Sequence, residues 1–322
     1  LFQFKRKHGY MPQFAKNALQ YNRRNGMFSE TAMYSHVFAT DWSWAALWTD
    51  FDNDGWKDLF ISNGIPKRLN DIDYVNFVSD ATIQDKIRNN AISNQDMALI
   101  DKFPEIKLPN KFYLNKKELK FDDAASRIKN DKATYSNGAA YADLDNDGDL
   151  DMVVNNIDDE VLVYSNKTND NKKNHWVSLK LEGNKENINA VGAKVIVFAN
   201  EQVQLYEKQT VRGFQSSMEI PLHIGLGSAK PDSILLIWPD NSYEKITIPI
   251  DTTFSIKYKT GLPLLDYGLI TEHTVPASKS MTDITAQTGL LFKHTENDFN
   301  EFDREQLMPH MISREGPALA VG

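Results

Sequence analysis

The chain has 322 residues, 41% of them hydrophobic, with 36 basic side chains against 44 acidic ones and no cysteine. That length allows one large core or two to three smaller ones, and a net charge of −8 without a basic stripe argues against nucleic acid as a partner. The missing cysteine removes disulfides, zinc–thiolate sites and thiol catalysis together, and no apolar run is long enough for a membrane-spanning helix.

In chain order, the first pattern is NALQYNRRNGMF, Asn17 to Phe28, an alternating run with an Asn, a turn and a closing Phe. It recurs as NKFYLNKKELKF, Asn110 to Phe121, and more loosely as VLVYSNKTND, Val161 to Asp170. Repetition at this scale predicts the outer hairpins of stacked β units. Trp42, Trp44 and Trp48 follow at even spacing, which puts them on one face of a strand. Core packing explains that spacing more simply than an exposed platform for a sugar ring.

The centre of the chain's chemistry is an acidic stretch that occurs twice. DFDNDGWKD carries Asp50, Asp52, Asp54 and Asp58; DLDNDGDLD carries Asp143, Asp145, Asp147 and Asp151. Four carboxylates in nine residues repel one another unless a cation sits among them. Hard oxygens in that number suit Ca²⁺, which takes six to eight. Gly55 and Gly148 supply a turn with positive φ, and the backbone carbonyls of Trp56 and Asp149 stand where they can complete the two shells. An EF-hand loop would need a Glu at position twelve and a helix on each side. Position twelve is Ile61 or Val154, and the following runs, LFISNG and MVVNN, are strand-like. The unit is strand, acidic loop, strand; its alternative is a solvated acidic turn without metal.

With matching flanks (AALWT before the first loop, GAAYA before the second), this unit resembles the FG-GAP or VCBS repeat family. The resemblance implies β-propeller blades with calcium in their loops, as in the integrin α-chain head. The loops lie 93 residues apart, too far for a blade of about 40–50 residues. Residues 66–108 read as helical, in LNDIDYVNFVSD, TIQDKIRNNAI and NQDMALIDKF. Removing such an insertion restores one blade length, and it would cover either a propeller face or an edge.

After about residue 173, strands separated by Gly, Asn, Asp or Pro turns predict a compact β-sandwich or barrel: HWVSLKLEG, VGAKVIVFAN, VQLYEKQTV, MEIPLHIGLG, SILLIWPD and YEKITIPI. Gly192-Ala193-Lys194-Val195, Gly213-Phe214-Gln215-Ser216, Leu222 to Gly227 and Trp238-Pro239-Asp240 resemble the ASPIC/UnbV domain family. The family's usual glycine after Trp-Pro-Asp is Asn241, which still suits a tight turn. Such domains accompany FG-GAP repeats in cartilage acidic protein and in surface proteins of Bacteroidetes, which implies a bacterial extracellular or outer-membrane location. Residues 261–280 read as a linker, and 281–322 resemble the opening of a further FG-GAP array. Leu1 and the closing ALAVG read as the ends of an internal piece, with any signal peptide or lipid anchor outside it.

The search for catalysis returns little. The seven histidines, at 8, 36, 175, 223, 273, 294 and 310, show no paired metal spacing. His223 falls in an apolar strand and reads as a hydrogen-bonded core residue, while His294 has Glu296 and Asp298 nearby. Gly225-Leu226-Gly227 is neither a dinucleotide fingerprint nor a nucleophile elbow. The expected function is a non-enzymatic calcium-binding scaffold with two structural Ca²⁺ sites, presenting its surface to a protein or glycan partner, or serving as an accessory subunit of an outer-membrane complex. The alternative is a polysaccharide-acting enzyme using a carboxylate pair elsewhere.

Overall fold

Both acidic stretches form the tips of antiparallel hairpins, and the hairpins are register copies of each other. In the computed structural model, residues 7–9, 16–66, 72–93, 96, 105–171, 173–199, 202–268, 283–289, 293 and 295 are described. The chain divides into two units, Leu1–Leu265 and Asp266–Gly322. The first unit begins with β1 (Gln20–Asn22), β2 (Phe28–Glu30), β3 (Ser43–Thr49) and β4 (Asp58–Asn63). Helices α1 (Ile72–Ser79) and α2 (Ala81–Arg88) follow, then β5 (Lys111–Asn115), β6 (Phe121–Asp123), β7 (Ser136–Ala142), β8 (Asp151–Asn156) and β9 (Leu162–Tyr164).

In the first hairpin Ala46, Leu47, Trp48 and Thr49 of β3 face Ile61, Phe60, Leu59 and Asp58 of β4. In the second, Ala139, Ala140, Tyr141 and Ala142 of β7 face Val154, Val153, Met152 and Asp151 of β8. Each pair is the first displaced by the sequence repeat. Both hairpins also shift register at the same place, between Ser43 and Ala46 and between Ser136 and Ala139, a bulge that re-aims the strand. Buried small residues at the start of β3 and β7 let the sheets approach closely. Ala45, Leu47 and Phe60 share one core with Ala139, Tyr141, Met152 and Val154.

The first hairpin grows into a four-stranded meander, β3-β4-β5-β6, and the second into β7-β8-β9. The helical excursion sits between β4 and β5. Leu59 pairs with Tyr113, 54 positions on, whereas Met152 pairs with Tyr164, 12 positions on, so the insertion accounts for 42 residues. Asp80 caps α2 by accepting the N–H groups of Thr82 and Ile83. Apart from Asp96, the third helical stretch, NQDMALIDKF, falls outside the described residues. Hairpin β1-β2 repeats β5-β6 in register: Asn22 faces Phe28 as Asn115 faces Phe121. The third expected hairpin, Val161–Asp170, is only half formed. Its strand β9 is followed by a 3₁₀ turn, Asn169–Asn171, because Asn169 is taken up by the second loop. Among the described residues these sheets do not close into a ring or barrel.

The tryptophan triplet is corrected. Trp42 precedes β3. Trp44 donates Nε1–H to Gly64 O at 2.7 Å and packs on Phe214, and Trp48 meets Phe121 edge-on. No flat platform results.

The later strands are β10 (His175–Glu182), β11 (Lys194–Ala199), β12 (Gln202–Glu207), β13 (Leu222–Gly227), β14 (Ser233–Ile237), β15 (Tyr243–Ile246) and β16 (Thr252–Lys257). They form two sheets, β13-β10-β16 and β12-β11-β14-β15. The sheets bury a common core, with Val177, Leu179, Ile224 and Ile256 on one side and Val195, Val197, Ile234 and Leu236 on the other. This part is a sandwich, one of the two forms, sandwich or barrel, that its alternation left open. Strand β16 was not foreseen; it pairs parallel to β10 and buries only Ile256 fully.

In the second unit a short helix, α3 (Thr285–Thr288), is described. Most of the segment expected to open a further array, with His294, His310 and ALAVG, lies outside the described residues, as does His273. Among the described residues no helix is long and apolar enough to cross a membrane.

Candidate metal centre

Each loop brings three carboxylates together. One oxygen each from Asp50, Asp52 and Asp58 lie within 4.8 Å of one another, and the same holds for Asp143, Asp145 and Asp151. Two oxygens bound to one Ca²⁺ at about 2.4 Å can be no farther apart than about 4.8 Å, a condition both triads meet. Asp54 and Asp147 stand outside the triads: Asp54 Oδ1 accepts the Trp56 N–H at 2.8 Å and Asp147 Oδ1 the Asp149 N–H at 3.1 Å. The turn itself is as expected, with φ of +89° at Gly55 and +90° at Gly148.

Backbone N–H groups fix the converging carboxylates. Asp50 accepts from Asp54 and Gly55 at 3.1 and 2.8 Å, and Asp143 from Asp147 and Gly148 at 3.2 and 3.1 Å. Position nine ties the loop to the sheet. Asp58 accepts from Phe51 N at 2.9 Å and from Asn115 N at 2.8 Å; Asp151 accepts from Leu144 N and Asn166 N at the same distances. Asn115 is the second Asn of the repeated hairpin pattern and Asn166 stands at the same position of the looser copy, so that position marks the residue that holds position nine.

The sites are short of positive charge. Burial, followed by repulsion from Asp58 and Asp54, raises the Asp50 carboxyl well above the carboxylate range. Burial raises Asp58 to about 7, against the Asn115 N–H and with help from Asp52, and it also raises Asp54 and Asp143. Asp149 was expected to offer only its carbonyl. Its side chain proves fully buried, with Oδ2 accepting Asn169 N–H at 2.9 Å and Oδ1 without a hydrogen-bond partner. Burial, then Asp147 and Asp151, raise it to about 7. Buried carboxylates with an orphaned oxygen are the environment a divalent cation relieves.

The sandwich sits directly on these loops, a feature the sequence reading missed. A Cβ at Gly225 would lie 1.9 Å from Asp50 Oδ2, and one at Gly148 would lie 1.9 Å from Trp176 Cε2. Gly227 N–H donates to Asn53 O at 2.8 Å, and Asn174 Nδ2 donates to Asp52 O at 2.7 Å. Phe214 and Met218 enter the core shared by the two loop-bearing sheets, while Ser216 Oγ accepts from Ala139 N at 3.1 Å. His223 is hydrogen-bonded as expected, but its Nε2 meets Asn53 of the first loop at 2.7 Å, and burial pushes the imidazole down to about 4.

No curated protein matches the chain. The FG-GAP resemblance therefore rests on the acidic repeats themselves. Residues 183–263, from just after β10 through the remaining strands of the sandwich, match the protein family described as ASPIC and UnbV; the Leu-His-Ile-Gly-Leu-Gly motif of this stretch lies on the first acidic loop, and its Gly-Phe-Gln-Ser motif packs on β3 and β7.

Proposed function

We propose that the chain is a non-enzymatic, calcium-stabilised scaffold in which blades of β-propeller type carry an ASPIC/UnbV domain. Asp50, Asp52 and Asp58 would hold one Ca²⁺, and Asp143, Asp145 and Asp151 the other. Asp54, Asp147 and the carbonyls of Trp56 and Asp149 would complete the shells, directly or through water. The ion's role is structural: it neutralises buried carboxylates that otherwise repel, and so pins the turn between two strands. Loops of this type fill at the millimolar calcium of the cell exterior. That supports an extracellular or outer-membrane setting in which the rigid body presents its surface to a protein or glycan partner.

The observation that carries this reading is the exact repetition of the carboxylate triad on two hairpins of identical register. Thermal melting with calcium and with a chelator tests it. A ligand at a hundred times its Kd adds about 2.7 kcal/mol per site, so the loaded form should melt several degrees higher. Asp52→Ala should remove part of that gain; equal melting in calcium and chelator would contradict the reading.

A further inference from the structure

The two loops touch, and asparagine amides make the contact. Asn53 lies between Asp52 and Asp54 in the first loop and is 1% exposed. Its Nδ2 donates to Gly148 O in the second loop at 2.9 Å, and its Oδ1 accepts from His223 Nε2 at 2.7 Å, which fixes the imidazole with its proton on Nε2. Asn166 makes a second bridge: its Nδ2 donates to Phe51 O in the first loop at 2.7 Å and to Leu150 O in the second at 3.2 Å. Trp176, whose ring covers Gly148, stacks on His223 with centroids 5.7 Å apart. Asn146, the counterpart of Asn53, has the same left-handed backbone, φ 60° against 55°, but is exposed. The bridge is therefore a property of this junction, not of the turn.

From this geometry we infer that the two cation sites are coupled, filling of one raising the affinity of the other, with Asn53 and Asn166 as the coupling residues. The inference rests on the calcium reading above. Each loop's carboxylates push apart when empty and draw together around an ion, which moves the backbone that the asparagines grip. The wall between the loops is ordered once, by whichever ion arrives first, so the second ion meets a loop already in shape. Ion–ion repulsion acts the other way, and salt screens it only in part because Asp50, Asp58 and Asp151 are buried; the coupling proposed is the net of the two, with the buried bridges dominant.

Calorimetric calcium titration of the whole chain at 0.15 M salt tests this. Asp145→Asn silences the second site and Asp52→Asn the first. Each remaining site should bind about fivefold or more weakly than it does in the unaltered chain, by the same factor in both directions, as linkage requires. Asn53→Gly keeps the left-handed backbone without strain and should at least halve the factor; adding Asn166→Ala should bring it to one or below while both ions still bind. Near-UV circular dichroism reports folding of each variant. Two ions binding independently in the unaltered chain would overturn the coupling and leave the calcium reading standing. A factor untouched in the double asparagine variant would overturn the asparagines as the link. Absence of calcium uptake would overturn the calcium reading and the coupling with it.

Discussion

The first and second acidic loops share their aspartate spacing, their strand register and their glycine turn, yet they live in different surroundings. Loop one is enclosed: Asp50, Asn53 and Asp58 are each at most 4% exposed, with β13 and its glycines over them. Loop two keeps an open side, where Asp145 retains about half its side-chain surface and pairs with Lys167 at 3.4 Å. Its inner side is the more acidic, because Asp149 stands where loop one has Trp56. Local sequence sets the shape of such a loop; the neighbouring sheet sets how strongly its charges are confined.

The largest expected break in this comparison is Gly225→Ala. The added carbon would collide with the Asp50 carboxylate, so we expect loss of about 3 kcal/mol by denaturant melting, with the damage centred on loop one. Next comes pH. Asp58 and Asp149 have folded-state values of about 7 against the usual 3.8. Between roughly pH 4 and 7 the folded metal-free chain therefore holds protons that the unfolded chain has released. Chelated protein should lose stability as pH rises through that window, and level off above it. Calcium competes with those protons, so its stabilising effect should grow with pH.

A smaller effect separates the loops chemically. Asp149→Asn removes a buried charge from loop two, and the chelated protein should gain about 1–2 kcal/mol at pH 7.5. The smallest difference compares two asparagines. Asn166 serves both Phe51 O and Leu150 O, whereas Asn115 Nδ2 serves Lys57 O only. Asn166→Ala should thus cost about 1 kcal/mol more than Asn115→Ala in thermal melts.

Much of this was legible in the sequence because it depends on short-range order. The nine-residue spacing gave the loops, the alternation around them gave strands rather than EF-hand helices, and the offset of the repeats revealed the insertion between β4 and β5. The sandwich strands followed from apolar alternation, but β16 did not, since only Ile256 of its residues is fully buried. What stayed hidden were contacts between residues far apart in the chain. Asn53 and His223 are separated by 170 positions, and nothing local in Leu222–Gly227 shows that its glycines make room for an aspartate. Asp149 was read by its position in the turn, which predicts a carbonyl; its buried side chain depends on Asn169.

The most direct test of the central claim is native mass spectrometry of the chain after exchange into millimolar calcium. Two bound calcium ions per chain are expected, with one lost in Asp52→Asn and one in Asp145→Asn. A mass that shows no retained calcium in the folded protein would contradict the account.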